Sequence, residues 1–434
     1  MSVADAHRAI DAVWRIESPR LIAGLARQVR DVGLAEDLAQ DALVAALEQW
    51  PESGVPDNPG AWLMATAKHR AIDWLRRREI GERKYEQVAR ELEVEQRSAA
   101  PDLDAAIDDD IGDDLLSLIF TACHPVLSTE ARIALTLRLV GALTTAEIAR
   151  AFLVSEATVA QRITRAKRTL AETKVPIEVP SGSERDARLA SVLEVIYAIF
   201  NEGYSATAGD HWMRPELCQD ALRLGRILAR LAPEAAEVHG LVALMEIQAS
   251  RFRARTGPSG EPILLLDQDR SRWDRLLIRR GLAALERAEE LGGALGPYTL
   301  QAGIAACHAR ARSAEDTDWE RMVALYDALA QLNPSAVVDL NRAVAIAMAF
   351  GPAEGLELVD ELASSGALDG YHPLSSVRGH LLEQLGRLDE ARGEYERAAS
   401  LTQNERERAQ LLERAGATAS NGAPVHTRPL PGEG

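Results

Sequence analysis

Apolar residues recur at helical spacing along nearly the whole chain. The segment Leu34–Trp50 (LAEDLAQDALVAALEQW) sets Leu34, Leu38, Ala42, Leu43 and Ala46 on one stripe, which predicts an amphipathic helix with an acidic outer face. The turn-rich stretch Pro51–Gly60 ends it. A second helix is expected over Ala61–Arg78, with its apolar face through Trp62, Ala65, Ile72 and Leu75. Seven aspartates between Pro101 and Asp114 predict a solvated linker. Helical pattern returns from Leu115 to Lys174, and Val175–Ser183 (VPIEVPSGS) reads as another linker. Ala/Leu-rich helices then run to a Gly/Pro-rich tail from Asn421. The expectation is an all-α chain in the sections 1–98, 99–114, 115–175, 176–420 and 421–434.

The third of these helical sections carries a weak repeat. In YHPLSSVRGHLLEQLGRLDEARGEYERAAS, Gly379, Ala391 and Ala398 stand where paired helices approach closely, Gly386 marks the turn and Tyr395 fills the gap. This resembles a tetratricopeptide unit. A looser copy uses Ala343, Gly355 and Val359, offset by about 36 residues and so close to the ~34-residue period of such repeats.

Composition narrows the picture further. The 434 residues exceed one compact core, 47% hydrophobic content is ordinary for folded domains, and only 4% are aromatic, which favours helix over sheet. A net charge of −17 argues against a basic coat for bulk nucleic-acid binding. Residues 1–175 hold 22 basic and 28 acidic side chains, and the rest hold 27 and 38. DNA contacts are therefore expected from local patches in the first part, with the more acidic part standing clear. Cys123, Cys218 and Cys307 are far apart, and their neighbours His124 and His308 form no ligand set, so no disulfide framework, metal or cofactor is expected. No signal peptide or bilayer-spanning run is read, which predicts a cytoplasmic protein with no membrane partner. Phosphate loops, G-x-S-x-G and H-E-x-x-H are absent, so no enzymatic chemistry is expected.

The sharpest local signal is Leu143–Leu170 (LTTAEIARAFLVSEATVAQRITRAKRTL). Thr144 and Glu147 have capping-box spacing, Ser155 can cap a following helix, and Ile148, Ala149, Val159 and Ile163 supply apolar contacts between the two. This is the pattern of a helix-turn-helix, whose second helix lies in the major groove. Thr158, Gln161 and Arg162 would sit over base edges, and Arg165, Lys167 and Arg168 would reach phosphates. A solvated basic helix is the plainer alternative. A second basic stretch, Lys68–Lys84, holds Lys68, Arg70, Arg76, Arg77, Arg78, Arg83 and Lys84, with Trp62 and Trp74 nearby. Basic and aromatic residues together suit unpaired DNA, although both tryptophans could equally be core.

In order, these segments resemble the extracytoplasmic-function branch of the sigma-70 family. AEDLAQDALVAALEQW is similar to the first conserved helix of region 2, so Asp37, Leu38, Gln40, Asp41 and Leu43 would contact core RNA polymerase. Ala61–Arg78 is similar to the helix that recognises and melts the minus-ten element, with Asp73, Trp74, Leu75 and Arg76 matching an Asp-aromatic-Leu-Arg run. The resemblance implies Asn58, Trp62, Lys68, His69, Arg70, Asp73, Trp74, Arg76 and Arg77 as minus-ten contacts. It implies Ser155, Glu156, Thr158, Gln161, Arg162, Arg165, Lys167 and Arg168 as minus-thirty-five contacts in region 4. The strings FNEGYSA, LLLLDQDRSRWDRLLI, GPYTLQAGIAACHA and LNRAVAIAMAFGPAEGL resemble a subgroup with a tetratricopeptide-like extension. His69 departs from the usual Asn. Leu153 departs from the Gly common in the helix-turn-helix turn, and is compatible there only if its φ is not strongly positive.

The implied partners are bacterial core polymerase and promoter DNA, plus a protein or small-molecule partner of the extension, which would control the DNA-binding part in cis. A groove around Phe200–Tyr204 and His211–Met213 could take a ligand, or those aromatics could be core. Two other readings remain: a helix-turn-helix regulator with a ligand-sensing repeat domain, and a repeat scaffold with incidental basic helices. Leu34–Arg78 is superfluous to the first, and the capped helix-turn-helix is unexplained by the second.

Overall fold

The computed structural model describes residues 3–81, 114–205, 213–257, 263–402 and 404–421. The aspartate-rich stretch up to residue 113, Arg83, Lys84, His211, Trp212 and the tail beyond Asn421 lie outside them. No described residue belongs to a β-strand, and the chain is all-α. It divides into two units, Met1–Ile199 and Phe200–Gly434.

The first unit opens with α1 (Val3–Val29), α2 (Val32–Ser53) and α3 (Pro59–Gly81). Asp31 caps α2 by accepting from the Leu34 amide, and Asn58 caps α3 through Ala61 N at 3.0 Å. The buried stripe of α2 is Ala35, Glu36, Leu38, Ala39, Ala42, Ala45 and Ala46, ending on Trp50. Small residues there let the helices approach closely. On α3 the buried stripe is Leu63, Ala67 and Ala71, rotated from the expected one: Ala65 is exposed, Trp62 and Ile72 are half-buried, and the Leu75 side chain is not described. The small alanines take the core side, where they let α3 lie close against α1 and α2. Trp62 instead meets Trp50 edge-on at its margin, 5.3 Å between centroids.

A further set of helices follows: α4 (residues 114–122), α5 (Thr129–Leu139), α6 (Thr145–Ala151) and α7 (Glu156–Glu172). The next helix, α8 (Gly182–Tyr204), is held to them by its first half. Arg188 donates to the Phe120 carbonyl at 3.0 Å, Ser191 donates to the Cys123 carbonyl at 2.7 Å, and Arg132 pairs with Glu194 at 3.1 Å. The boundary between the units thus falls inside α8, well after Val175–Ser183.

The second unit runs through α9 (Pro215–Leu231), α10 (Ala236–Ala249), α11 (Arg275–Glu290), α12 (Pro297–Arg310), α13 (Trp319–Leu332), α14 (Ala336–Phe350), α15 (Pro352–Ser365), α16 (His372–Gln384), α17 (Leu388–Leu401) and α18 (Glu405–Asn421). Most of these helices pack mainly on their neighbours in sequence, while α12 packs mainly on α10, as in helical-repeat folds. Both repeat copies behave as expected. A Cβ on Gly379 would lie 3.1 Å from the Tyr395 ring, and one on Gly355 would lie 2.4 Å from Ala347 Cβ. Tyr395 is fully buried and donates to Glu383 at 2.6 Å, while Gly386 turns the chain at φ 74°. Phe200 is core, stacked on Tyr204 at 5.6 Å. The buried Arg270 ties a loop to the end of α12, donating to the carbonyls of His308 (2.7 Å) and Ala311 (3.1 Å). No described helix is long and apolar enough to cross a membrane, and the three cysteines are free and buried.

Candidate polymerase and promoter interface

The helix-turn-helix forms as its sequence dictates. Thr144 and Glu147 make both bonds of the capping box, and Ser155 caps α7 by accepting from Thr158 N at 3.1 Å. Ile148, Ala149, Val159 and Ile163 are buried between α6 and α7, and Ala166 and Leu170 extend that stripe. The turn holds a correction: Leu153 has φ 51° and is 54% exposed. Its left-handed backbone is the conformation that favours glycine, and the cost is borne because Val154 N still closes onto the Ala149 carbonyl at 3.0 Å.

The expected minus-thirty-five residues divide by helical phase. Glu156, Gln161, Arg165 and Arg168 are exposed on α7, with Thr158 and Arg162 half-buried beside them. Ser155 is spent on the cap, and Arg168 lies 3.6 Å from Glu172. Lys167 is brought elsewhere. It lies two positions past Arg165, about 200° around the helix, on the side of Ile163 and Leu170. Its Nζ is 2.5 Å from Glu36 Oε2.

Glu36 belongs to α2, is 3% exposed, and also accepts from Arg138 Nε at 2.7 Å and Gln40 Nε2 at 2.8 Å. Burial pushes its carboxyl up, but Lys167 and Arg138 more than offset that and hold it below the usual carboxylate range. Glu36 and Arg138 were not among the expected site residues. The available signal was an acidic residue inside the apolar stripe of α2, since a buried carboxylate requires a cationic partner. Two further pairs join the same helix sets: Arg15 to Glu147 at 2.6 Å and Arg27 to Asp114 at 3.0 Å.

On the outer side of α2, Asp37 and Asp41 are exposed, and Gln40 and Leu43 are half-buried. Leu38 is 5% exposed and serves the core of the bundle, so it is not available to a partner. Val44 (48% exposed) and Leu47 (37%) add an apolar strip that the pattern reading missed. On α3, Lys68, His69, Asp73 and Arg76 are exposed, while Trp74 is half-buried. Arg70 pairs with Asp41 at 3.3 Å, and Asn58 is committed to its cap. The Arg77 side chain lies outside those described.

Residues 14–79 match the sequence family described as sigma-70 region 2, and residues 117–170 match sigma-70 region 4. These are the helices just built, in the same order. The chain belongs to the sigma-70 family. This extracytoplasmic-function-like sigma factor directs RNA polymerase to promoters, and its partners are the core enzyme and promoter DNA. Residues 188–289 match a family of unknown function, DUF6596. An uncharacterized protein, R00370, from Rhizobium meliloti (strain 1021) is 43% identical over 404 residues, which is 93% of this chain and 94% of the relative. The crystal structure of yeast Tom70 aligns with a TM-score of 0.37 at 10% identity, covering 89% of this chain and 64% of that one.

Proposed function

We propose that this sigma factor divides its work among the three surfaces above. The outer side of α2, through Asp37, Gln40, Asp41, Leu43, Val44 and Leu47, docks on core polymerase. The exposed face of α3, through Lys68, His69, Asp73 and Arg76 with Trp62 and Trp74 at its margins, holds the opened minus-ten strand by charge and stacking. The N-terminal half of α7, through Glu156, Thr158, Gln161, Arg162 and Arg165, reads the minus-thirty-five duplex. Catalysis belongs to the polymerase, so the chain works where transcription occurs, in the cytoplasm. The observation that carries this reading is the ordered pairing of a region-2 bundle with a capped helix-turn-helix. Arg162→Ala and Arg165→Ala should lower promoter-specific transcription with core affinity intact; equal loss of both functions would contradict the assignment.

The helical-repeat unit sets promoter output through a protein or ligand partner of its own. Its consecutive hairpins and its acidity support this role. Removing it after Ser205 should change transcription with core binding retained; unchanged output would end the idea.

A further inference from the structure

We infer that the loop joining α10 to α11 forms a binding site for a small phosphate-bearing ligand, with Arg253, Arg272 and Arg275 as its contacts. The inference gives a chemical class to the ligand partner proposed above for the helical-repeat unit, and so rests on that reading. Between residues 251 and 275 the chain places arginine at 251, 253, 255, 270, 272 and 275. Two short 3-10 turns, Phe252–Ala254 and Arg270–Arg272, carry much of this run. With about three residues per turn, side chains two positions apart point to different sides. Arg251, Arg255 and Arg270 are accordingly buried, whereas Arg253 and Arg272 are exposed. The ends of the loop are tied together by Asp274 N, which donates to the Ser250 carbonyl at 2.8 Å. Arg253 from one end thereby meets Arg272 and Arg275 from the other around an open pocket of about 570 Å³, lined also by Ser271, Trp273 and Asp274.

Charge around the pocket is one-sided. Arg253, Arg272 and Arg275 form no ion pair among the described residues. Asp274, the carboxylate of the lining, is turned to α11, where it accepts from the amides of Leu276 and Leu277 at 2.9 and 3.2 Å. Trp273 is buried, and its ring carries two more guanidiniums, Arg270 at 5.1 Å and Arg251 at 5.9 Å from the centroid. Arg251 is 9% exposed and Arg270 7%. Arg270 donates to neutral acceptors, the carbonyls of His308 and Ala311 and the Thr317 hydroxyl, and the buried Arg251 Nε has no hydrogen-bond partner. Nearby His308 feels the same field: burial, then Arg251 and Arg270, push its imidazole down to about 3. Buried cations without a counter-charge are unfavourable, and an anion in the adjoining pocket offsets that.

Size and setting select a small ligand. The pocket falls within the roughly 300–1,000 Å³ of small-molecule sites. A guanidinium fork matches two phosphate oxygens at once, and three forks around one space suit a group carrying two or more negative charges. Duplex DNA fits less well, because the site is concave and belongs to the more acidic part of the chain.

Inorganic pyrophosphate is the probe, titrated calorimetrically into the full-length protein at fixed ionic strength. One saturable site per chain is expected. Arg272→Gln/Arg275→Gln should weaken binding at least ten-fold, and Arg253→Gln, from the opposite end of the loop, at least three-fold. All three side chains are exposed, so the variants should keep the wild-type unfolding midpoint. Arg392→Gln, an exposed arginine of α17, should bind as the wild type does. No saturable binding, or equal affinity in the wild type and both pocket variants, would overturn the site. Tighter binding of citrate would overturn the phosphate class, and displacement of pyrophosphate by duplex DNA at equal phosphate concentration would overturn the small ligand. Truncation after Ser205 tests the reading of the repeat unit separately. Altered transcription on truncation without pyrophosphate binding would remove this site and leave the unit's control of output standing.

Discussion

Glu36 on α2 and Lys167 on α7 form an ion pair of 2.5 Å, with the carboxylate 3% exposed. Because that carboxyl is held below its usual range, its contribution to the contact between α2 and α7 is complete above the ordinary glutamate value of about 4.3 and is lost as pH falls below it. Energy transfer between dyes on Glu48→Cys and Glu172→Cys should be flat from neutral pH down to mildly acidic pH. It should then drop more steeply in wild type than in Glu36→Gln. A transfer signal that decays near neutral pH would point to another titrating group.

Leu153→Gly should stabilise the helix-turn-helix by about 1 kcal/mol, since the left-handed conformation costs a non-glycine residue roughly 1–2 kcal/mol. The side chain is half-exposed, so little packing is lost in exchange. Thermal unfolding of the two proteins decides it, and a lower midpoint for the glycine variant would show that Leu153 packs to advantage.

A chain ending at Lys174 should be less stable than one ending at Ser205 by about 3 kcal/mol. The shorter piece strands the carbonyls of Phe120 and Cys123 and leaves Arg132 without Glu194. Urea unfolding of both pieces measures the difference. Equal stability would mean that α8 is dispensable to the helices before it.

How far the sequence alone reached depends on the range of the interaction. The helix-turn-helix was legible because its caps are local: Thr144 with Glu147, and Ser155 with Thr158, lie within one turn. The repeat was legible at Gly379 and Tyr395 because close helix approach leaves a small-residue signature. The face of α3 was misjudged because indole weighs heavily in a periodicity count, whereas Ala67 and Ala71 take the tight side of the bundle. The placement of Lys167 was missed because its partner comes from a helix encoded far upstream, as does that of Arg138, 102 residues from Glu36. Leu153 was expected to avoid positive φ, and the geometry of the turn overrode that preference.

His308 is buried against Trp319, 5.2 Å between ring centroids, and burial together with Arg251 and Arg270 pushes its imidazole down to about 3. It is neutral when folded and takes up a proton on unfolding below its ordinary value of about 6.5. The repeat unit should therefore lose stability progressively as pH falls from about 6.5 towards 3. Denaturant midpoints across that window should flatten in His308→Leu. An equally steep variant would assign the slope to other groups.

As a sigma factor, this chain gives polymerase its promoter choice. Transcription by purified bacterial core enzyme, with and without the protein, on a pool of promoter fragments is the test of that role. Discrete new start sites that depend on the protein and weaken with Arg165→Ala are the predicted result. Binding to duplex DNA with no core association and no new transcripts would contradict it.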